Sequence, residues 1–366
     1  MSKYGFDLKD LVAKQSAMLD ILETDECSDE VFCKAYELCD LYTSLINMFT
    51  VDDIDNNLSS HEILLAIKND FNVNDFCKDR NTMLSISKML AKLCPSKKRE
   101  FNCSTINVSD DDSVNIVSDM VKCKFGNKHF NAFKSFFLEC PNRIEFSPYY
   151  SSFMTLIHGE RYVVVQDSDN ISKIVNLGHE AGHVSASLLS KNYDIYANSV
   201  LSEVESTFYE LLLYDFLIEE NIYKKDAITS MVADCDVLER DGLIINIALN
   251  NAFSKIKDVK GFNKLAHELN LFNSLNSSGS KDLLQLILDI YNDGFVYIYS
   301  RLVAIEFYYK YKNASNPFSI IDQFDEFVNC VGVVDDMELA SLVCSDPTNF
   351  HNLKNYRQYK EKVLSL

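Results

Sequence analysis

The chain has 366 residues, 47% of them hydrophobic, enough to bury a sizeable core in one compact unit with two lobes. A formal net charge of −19 argues against nucleic acid and anionic membrane as partners, because both require a basic footprint. Eleven cysteines without a CxxC pair, a start (MSKYGFDLKDLVAK) that does not read as a secretory signal, and the lack of any run of eighteen apolar residues predict a soluble, cytoplasmic protein with reduced thiols.

From Lys9 to about Cys94 the apolar residues recur at helical spacing. Leu11, Met18, Leu19 and Leu22 mark a first segment, and Val31, Ala35, Leu38 and Leu41 a second. Ser60 to Phe71 and Asn81 to Cys94 follow, with breaks at the polar stretches Asp25 to Asp29 and Asp52 to Ser60. Pro95 ends the fourth segment. Asn107 to Asp119, NVSDDDSVNIVSD, reads as an acidic surface connection, and a helix is expected around His129 to Cys140, with His129 as a packed or solvated side chain rather than a ligand.

After Pro148 the period changes. Ser151 to Ile157 and Arg161 to Gln166 are rich in Phe, Tyr, Val and Ile and flank His158-Gly159-Glu160, which predicts a β-hairpin. Ten residues beyond it begins NLGHEAGHVSASLLSKNYDIYANSVLSEVESTFYE, Asn176 to Glu210. His179 and His183 stand four apart, so on a helix they share one face and can grip one metal ion. Glu180 lies about 100° round the helix from His179, placed to serve a water as general base without being a ligand. A catalytic zinc needs a third protein ligand, and Glu203 is the candidate, twenty residues beyond His183 on a second helix after the polar turn Lys191 to Asn198. On that helix Glu203, Thr207, Glu210 and Tyr214, with Ser206 beside them, form a polar stripe among apolar residues, as a buried metal site requires. Gly178, Ala181, Gly182, Ser185 and Ala186 are small enough to let other backbone approach the first helix closely.

HEAGH followed at this spacing by EVESTFYE resembles the thimet oligopeptidase and oligopeptidase F family of zinc peptidases, whose signature reads HExGH and then an E-V-x-S-T-F-x-E helix. The resemblance implies a mainly α, two-lobed zinc-peptidase fold with one small β-sheet beside the HExxH helix. It implies His179, His183 and Glu203 as ligands of one Zn2+ per chain and Glu180 as base. Ser206 and Glu210 fall on later signature positions and are expected to support the ligands. It also implies that the strand before the metal helix, with Val163, Val164 and Val165, is the sheet edge along which an extended peptide lies by β-augmentation.

The resemblance extends to Tyr291–Tyr299, YNDGFVYIY, which is similar to the aromatic segment FYVYQY of the oligopeptidase F form. It makes Tyr297 the donor expected to steady the oxyanion, with Tyr291 a second choice and Tyr299 a further substrate contact. The departures are Asn176 and Gly178 before the motif, the absence of a family His between Leu284 and Ile290, and a length about half of that usual for the family, the shortening falling on the N-terminal side.

Beyond Glu220 helices are expected at Ala227 to Lys257, Asn263 to Leu271, Asp282 to about Lys312, Pro317 to Val331, Asp335 to Cys344 and Asn352 to Leu364. The expected organisation is an N-terminal helical lobe, 1–145, and a catalytic domain, 146–366. The expected activity is zinc-dependent hydrolysis of short or unfolded peptides. Two alternatives share the same residues: a zinc-binding protein without turnover that serves as a peptide-binding module, and a zinc hydrolase of non-peptide amides. The sequence carries no signal of oligomeric state.

Overall fold

In the computed structural model Ser109 opens a long helix, the first whose start lies among the described residues. Its Oγ accepts the Asp112 backbone N–H at 3.1 Å, and Asp110, Asp111 and Asp112 place three carboxylates in the first turn, where the helix dipole favours them. The helix, α1 (Asp110–Lys124), ends with Lys122 and Lys124 and buries Val117, Met120 and Val121 on one face. The acidic stretch expected to be a surface connection is therefore a capped helix start. Ser and Asp favour turns because their side chains bond nearby backbone, and the same property makes them helix caps.

The structure describes residues 101–148, 151–157, 160–191, 199, 201–237, 280–343 and 354–365, together with helical positions 13, 14, 17, 18 and 35. Most of the helices expected before Pro95 and between 238 and 279 lie outside the described residues. The chain falls into two compact units, Met1–Lys78 with Ala248–Tyr291, and Asp79–Ile247 with Asn292–Leu366. The HEAGH helix, the sheet and segment 101–145 all belong to the second unit. Among the described residues no helix is long and apolar enough to cross a membrane.

After α2 (Asn127–Phe133) and a π-turn at Lys134–Leu138, the chain enters a three-stranded sheet of order β1-β3-β2. β1 (Ile144–Ser147) runs parallel to β3 (Glu160–Gln166), and β2 (Phe153–Ile157) runs antiparallel to it, as the hairpin pattern predicts. β1 is the strand that the sequence pattern did not reveal. Its presence makes β3 the central strand rather than the edge, with Val163 at 1%, Val164 at 7% and Val165 at 0% exposure. Three consecutive valines are the mark of a strand covered on both faces, where an edge strand alternates. Val163 and Val164 are paired with both β1 and β2 and Val165 with Phe146 of β1, so this stretch is not a free edge for a peptide.

β3 leads into α3 (Ser172–Leu189), which packs along α4 (Val204–Glu219). Their approach is set by glycine. A Cβ on Gly182 would stand 2.6 Å from the Ser206 Cα and 2.9 Å from its backbone N, whereas one on Gly178 would meet only the movable Leu213 side chain. α4 is buried nearly all round, as its run of Leu, Phe and Tyr requires. Phe208 of α4 contacts Phe307 of α6 (Ser280–Asn313) at 6.0 Å and Phe324 of α7 (Phe318–Cys330) at 4.6 Å between ring centroids. α5 (Lys224–Val237), α8 (Asp336–Val343) and α9 (Lys354–Leu364) complete the described helices, so the fold is mainly α with one small sheet.

Behind α3 and α4, His129 is buried with Nδ1 2.7 Å from the Tyr209 hydroxyl and Nε2 2.8 Å from Asp325 Oδ1, a packed role as expected. Burial disfavours the Asp325 carboxylate, but hydrogen bonds and charge from His129 and Lys128 outweigh it and hold the carboxyl below its ordinary value. A depressed folded pKa contributes stability above the unfolded value and loses it as pH falls through the folded one. Asp325→Asn is therefore expected to lower the melting temperature at pH 7 and to flatten its decline below about pH 4, measured by thermal denaturation across pH. Gly182→Ala is expected to destabilise by about 1–3 kcal/mol or more, because backbone must move, and Gly178→Ala by less, read as melting temperatures of the two variants.

Candidate metal centre

The contact of Gly182 with Ser206 brings the start of α4 against the middle of α3, and three side-chain donors converge there. His179 Nε2 lies 3.2 Å from His183 Nε2 and 3.2 Å from Glu203 Oε2, and His183 Nε2 lies 3.3 Å from Glu203 Oε2. A tetrahedral shell with bonds of about 2.0–2.1 Å sets its donors about 3.3 Å apart, so this near-equilateral triangle fits one zinc ion. Among the described residues it is the His/Glu cluster with the spacing to hold a metal.

The outward nitrogens reinforce the fit. Glu210 Oε1 lies 2.5 Å from His179 Nδ1, and Glu205 Oε1 lies 2.9 Å from His183 Nδ1. Each carboxylate calls for a proton on the Nδ1 it faces, which leaves the Nε2 lone pairs pointing at each other and at the Glu203 oxygen. Three acceptors at this separation suit a cation among them. Burial disfavours the His179 imidazolium, yet Glu203 and Glu210 outweigh it and push the group up to about 10; at His183 Glu203 and Glu205 outweigh burial and raise the imidazole well above its ordinary value. Glu203 is correspondingly held far below the carboxylate range, its burial overcome by the two histidines.

Glu203 is the N-cap residue of α4 rather than a member of its stripe. Its position is fixed from three sides. Ser206 Oγ donates to Oε2 at 2.8 Å, the Glu203 backbone N–H donates to Ser300 Oγ of α6 at 3.2 Å, and its carbonyl accepts the Thr207 N–H at 3.1 Å. Ser206 and Glu210, expected from sequence to support the ligands, thus touch Glu203 and His179. Glu205 was not foreseen. Its contact with His183 arises only when α3 and α4 pack, and a glutamate between Val204 and Ser206 gives no sign of it.

Glu180 is buried beside the triangle, and its Oε2 has no hydrogen-bond partner among the described residues. Burial pushes its carboxyl up, against the pull of His179 and His183 and with the help of Glu203 and Glu210. A buried oxygen without a partner next to a metal-type triangle is placed to accept a proton from a bound water.

α6 supplies the remaining groups. The Tyr297 ring centroid lies 6.5 Å from that of His179, and the residue is 43% exposed, open to a substrate. Ser300 and Arg301 follow on the same helical face, the latter with Nη1 3.9 Å from Glu210 Oε2 and Nη2 2.6 Å from Asp234 Oδ2. Tyr299 is corrected: two residues on from Tyr297 it points about 200° away and is 1% exposed, inside the core, without surface for a substrate. Tyr291 lies in α6, but its side chain is outside the described residues.

No protein-family profile and no curated protein matches the chain. Three solved structures do. A protein described as an oligoendopeptidase F superposes with a TM-score of 0.64 at 11% identity, over 96% of this chain and 71% of that one. A second so described, from Bacillus anthracis str. Ames, gives 0.54 at 12%, over 98% and 74%. PZ peptidase A with an inhibitor gives 0.54 at 11%, over 96% and 71%. The chain thus spans 71–74% of the length of these structures rather than about half. At 11–12% identity the likeness is one of architecture, and this chain is built on the fold of oligoendopeptidase F and PZ peptidase.

Proposed function

We propose that this chain is a zinc-dependent peptidase that hydrolyses short or unfolded peptides. The observation that carries the reading is the triangle of His179, His183 and Glu203 with donors 3.2–3.3 Å apart and buried Glu180 beside it. The peptidase assignment draws support from the fold shared with oligoendopeptidase F and PZ peptidase. Zinc held by these three side chains would supply Lewis acidity, lowering the pKa of a water towards about 7 and polarising a carbonyl.

The protein's own groups do the rest. Glu180 accepts the proton of the attacking water and delivers it to the leaving amine. Tyr297, exposed near His179, donates its hydroxyl proton to the oxyanion as a hydrogen bond. Glu210 and Ser206 keep His179 and Glu203 oriented while the charge shifts. Substrate backbone pairs with the outer edge of β2, which has no strand neighbour there among the described residues, in place of the buried β3. The ligand side chains expose only 14–15% of their surface, which favours an extended, unfolded chain over a folded one.

Three measurements test this. Wild-type protein is expected to carry one zinc and to cleave quenched peptides, with activity lost to a chelator and restored by zinc. Glu180→Gln is expected to keep the zinc and lose about 10²–10⁴-fold in kcat. A wild type without zinc, or a Glu180→Gln variant with full turnover, overturns the reading; zinc-dependent cleavage of small amides but not of peptides overturns the substrate class. Tyr297→Phe is expected to lower kcat about 10²-fold or more with little change in KM, and an unchanged kcat removes Tyr297 from the oxyanion role.

A further inference from the structure

Each histidine of the triangle rests on its own carboxylate, but the two carboxylates are held differently. Glu210 turns its second oxygen towards Arg301, 3.9 Å away, which is itself paired with Asp234. Glu205 is 1% exposed, and its Oε2 has no hydrogen-bond partner among the described residues. A carboxylate buried to that extent is strongly disfavoured unless opposite charge or hydrogen bonds offset it. The one ring atom it faces, His183 Nδ1 at 2.9 Å, is the handle by which that imidazole can be turned.

Behind Glu205 lies a small cavity of about 10 Å3, lined in part by Gly182, Ser185, Tyr209, His129 and Asp325. Ala186, Leu189, Phe324 and Val328 also line it, and its accessible surface is mostly apolar. The Tyr209 hydroxyl donates to Ser185 Oγ at 2.8 Å and contacts His129, which in turn faces Asp325, so the far wall is a fixed set of hydrogen-bonding groups. Tyr209 stands one helical turn after Glu205 on the same face of α4, so the face that reaches His183 also lines the cavity.

We propose that Glu205 is the positioning residue of His183: its Oε1 accepts the Nδ1–H and so presents the Nε2 lone pair to the metal. The inference rests on the zinc reading above and extends it to a residue of α4 that touches neither metal nor substrate. Its charge also adds to that of Glu203 and Glu210 around the cation. Removing the carboxylate leaves His183 free to rotate and to take the other tautomer, which weakens metal binding before it affects the fold.

The test is zinc affinity by chelator competition, with thermal denaturation of metal-free and zinc-loaded protein, for wild type, Glu205→Ala and Glu205→Gln. The expected result is about ten- to a hundredfold weaker zinc binding in Glu205→Ala and a smaller loss in Glu205→Gln, which keeps an acceptor and the side-chain shape. The rise in melting temperature on adding zinc is expected to shrink in the same order. Zinc affinities within about twofold of wild type in both variants, with metal-free and zinc-loaded melting temperatures lowered equally, make Glu205 a packing residue and overturn the inference alone. A wild type that binds no zinc overturns the metal reading itself, and this inference with it.

Discussion

The contact between Gly182 and the backbone of Ser206 governs the geometry of the whole site. With α3 and α4 this close, Glu203 at the mouth of α4 comes to 3.2–3.3 Å from the two Nε2 atoms, and Glu205 and Glu210 come to the two Nδ1 atoms. A methyl group at position 182 is forbidden by backbone, which has no rotamer to retreat into.

That packing concentrates negative charge. Glu180, Glu203, Glu205 and Glu210 surround two histidines, and all are buried or nearly so. Such a set calls for positive charge at its centre, and the carboxylates push His179 and His183 well above the ordinary imidazole range. The three converging donors are the set that a divalent cation would satisfy. Folding energy from the apolar surround, with Phe208, Phe307 and Phe324 in mutual contact, is what allows so polar a centre to be kept together.

α6 and the sheet frame the site from other directions. One face of α6 carries Tyr297, Ser300 and Arg301, which reach the neighbourhood of His179, the Glu203 backbone and Glu210. Arg161 of β3 anchors the end of α3, with Nη2 2.6 Å from the Ser187 carbonyl. The sheet therefore steadies α3 from its centre strand, and β2 has no strand neighbour on its outer side among the described residues.

The sequence by itself determined the local pieces. Helical spacing placed His179, Glu180 and His183 on one helix, small residues marked where another backbone would come close, and apolar periodicity marked α6 to α9 within a residue or two. These are properties of neighbours along the chain, so a one-dimensional reading reaches them. Tertiary structure alone decided the rest. β3 became a central strand because β1, a short parallel partner, joined it from before the hairpin; the three valines carried that information only as a run covered on both faces. Tyr299 was lost to the core because the rotation of α6 is set by its neighbours. Ser109 and the aspartates after it became a helix start because Val117, Met120 and Val121 had a core to enter. Glu205 gained its partner from α3, twenty-two residues away in the chain. A contact across two packed helices depends on their separation and rotation, which are set by all their surroundings at once.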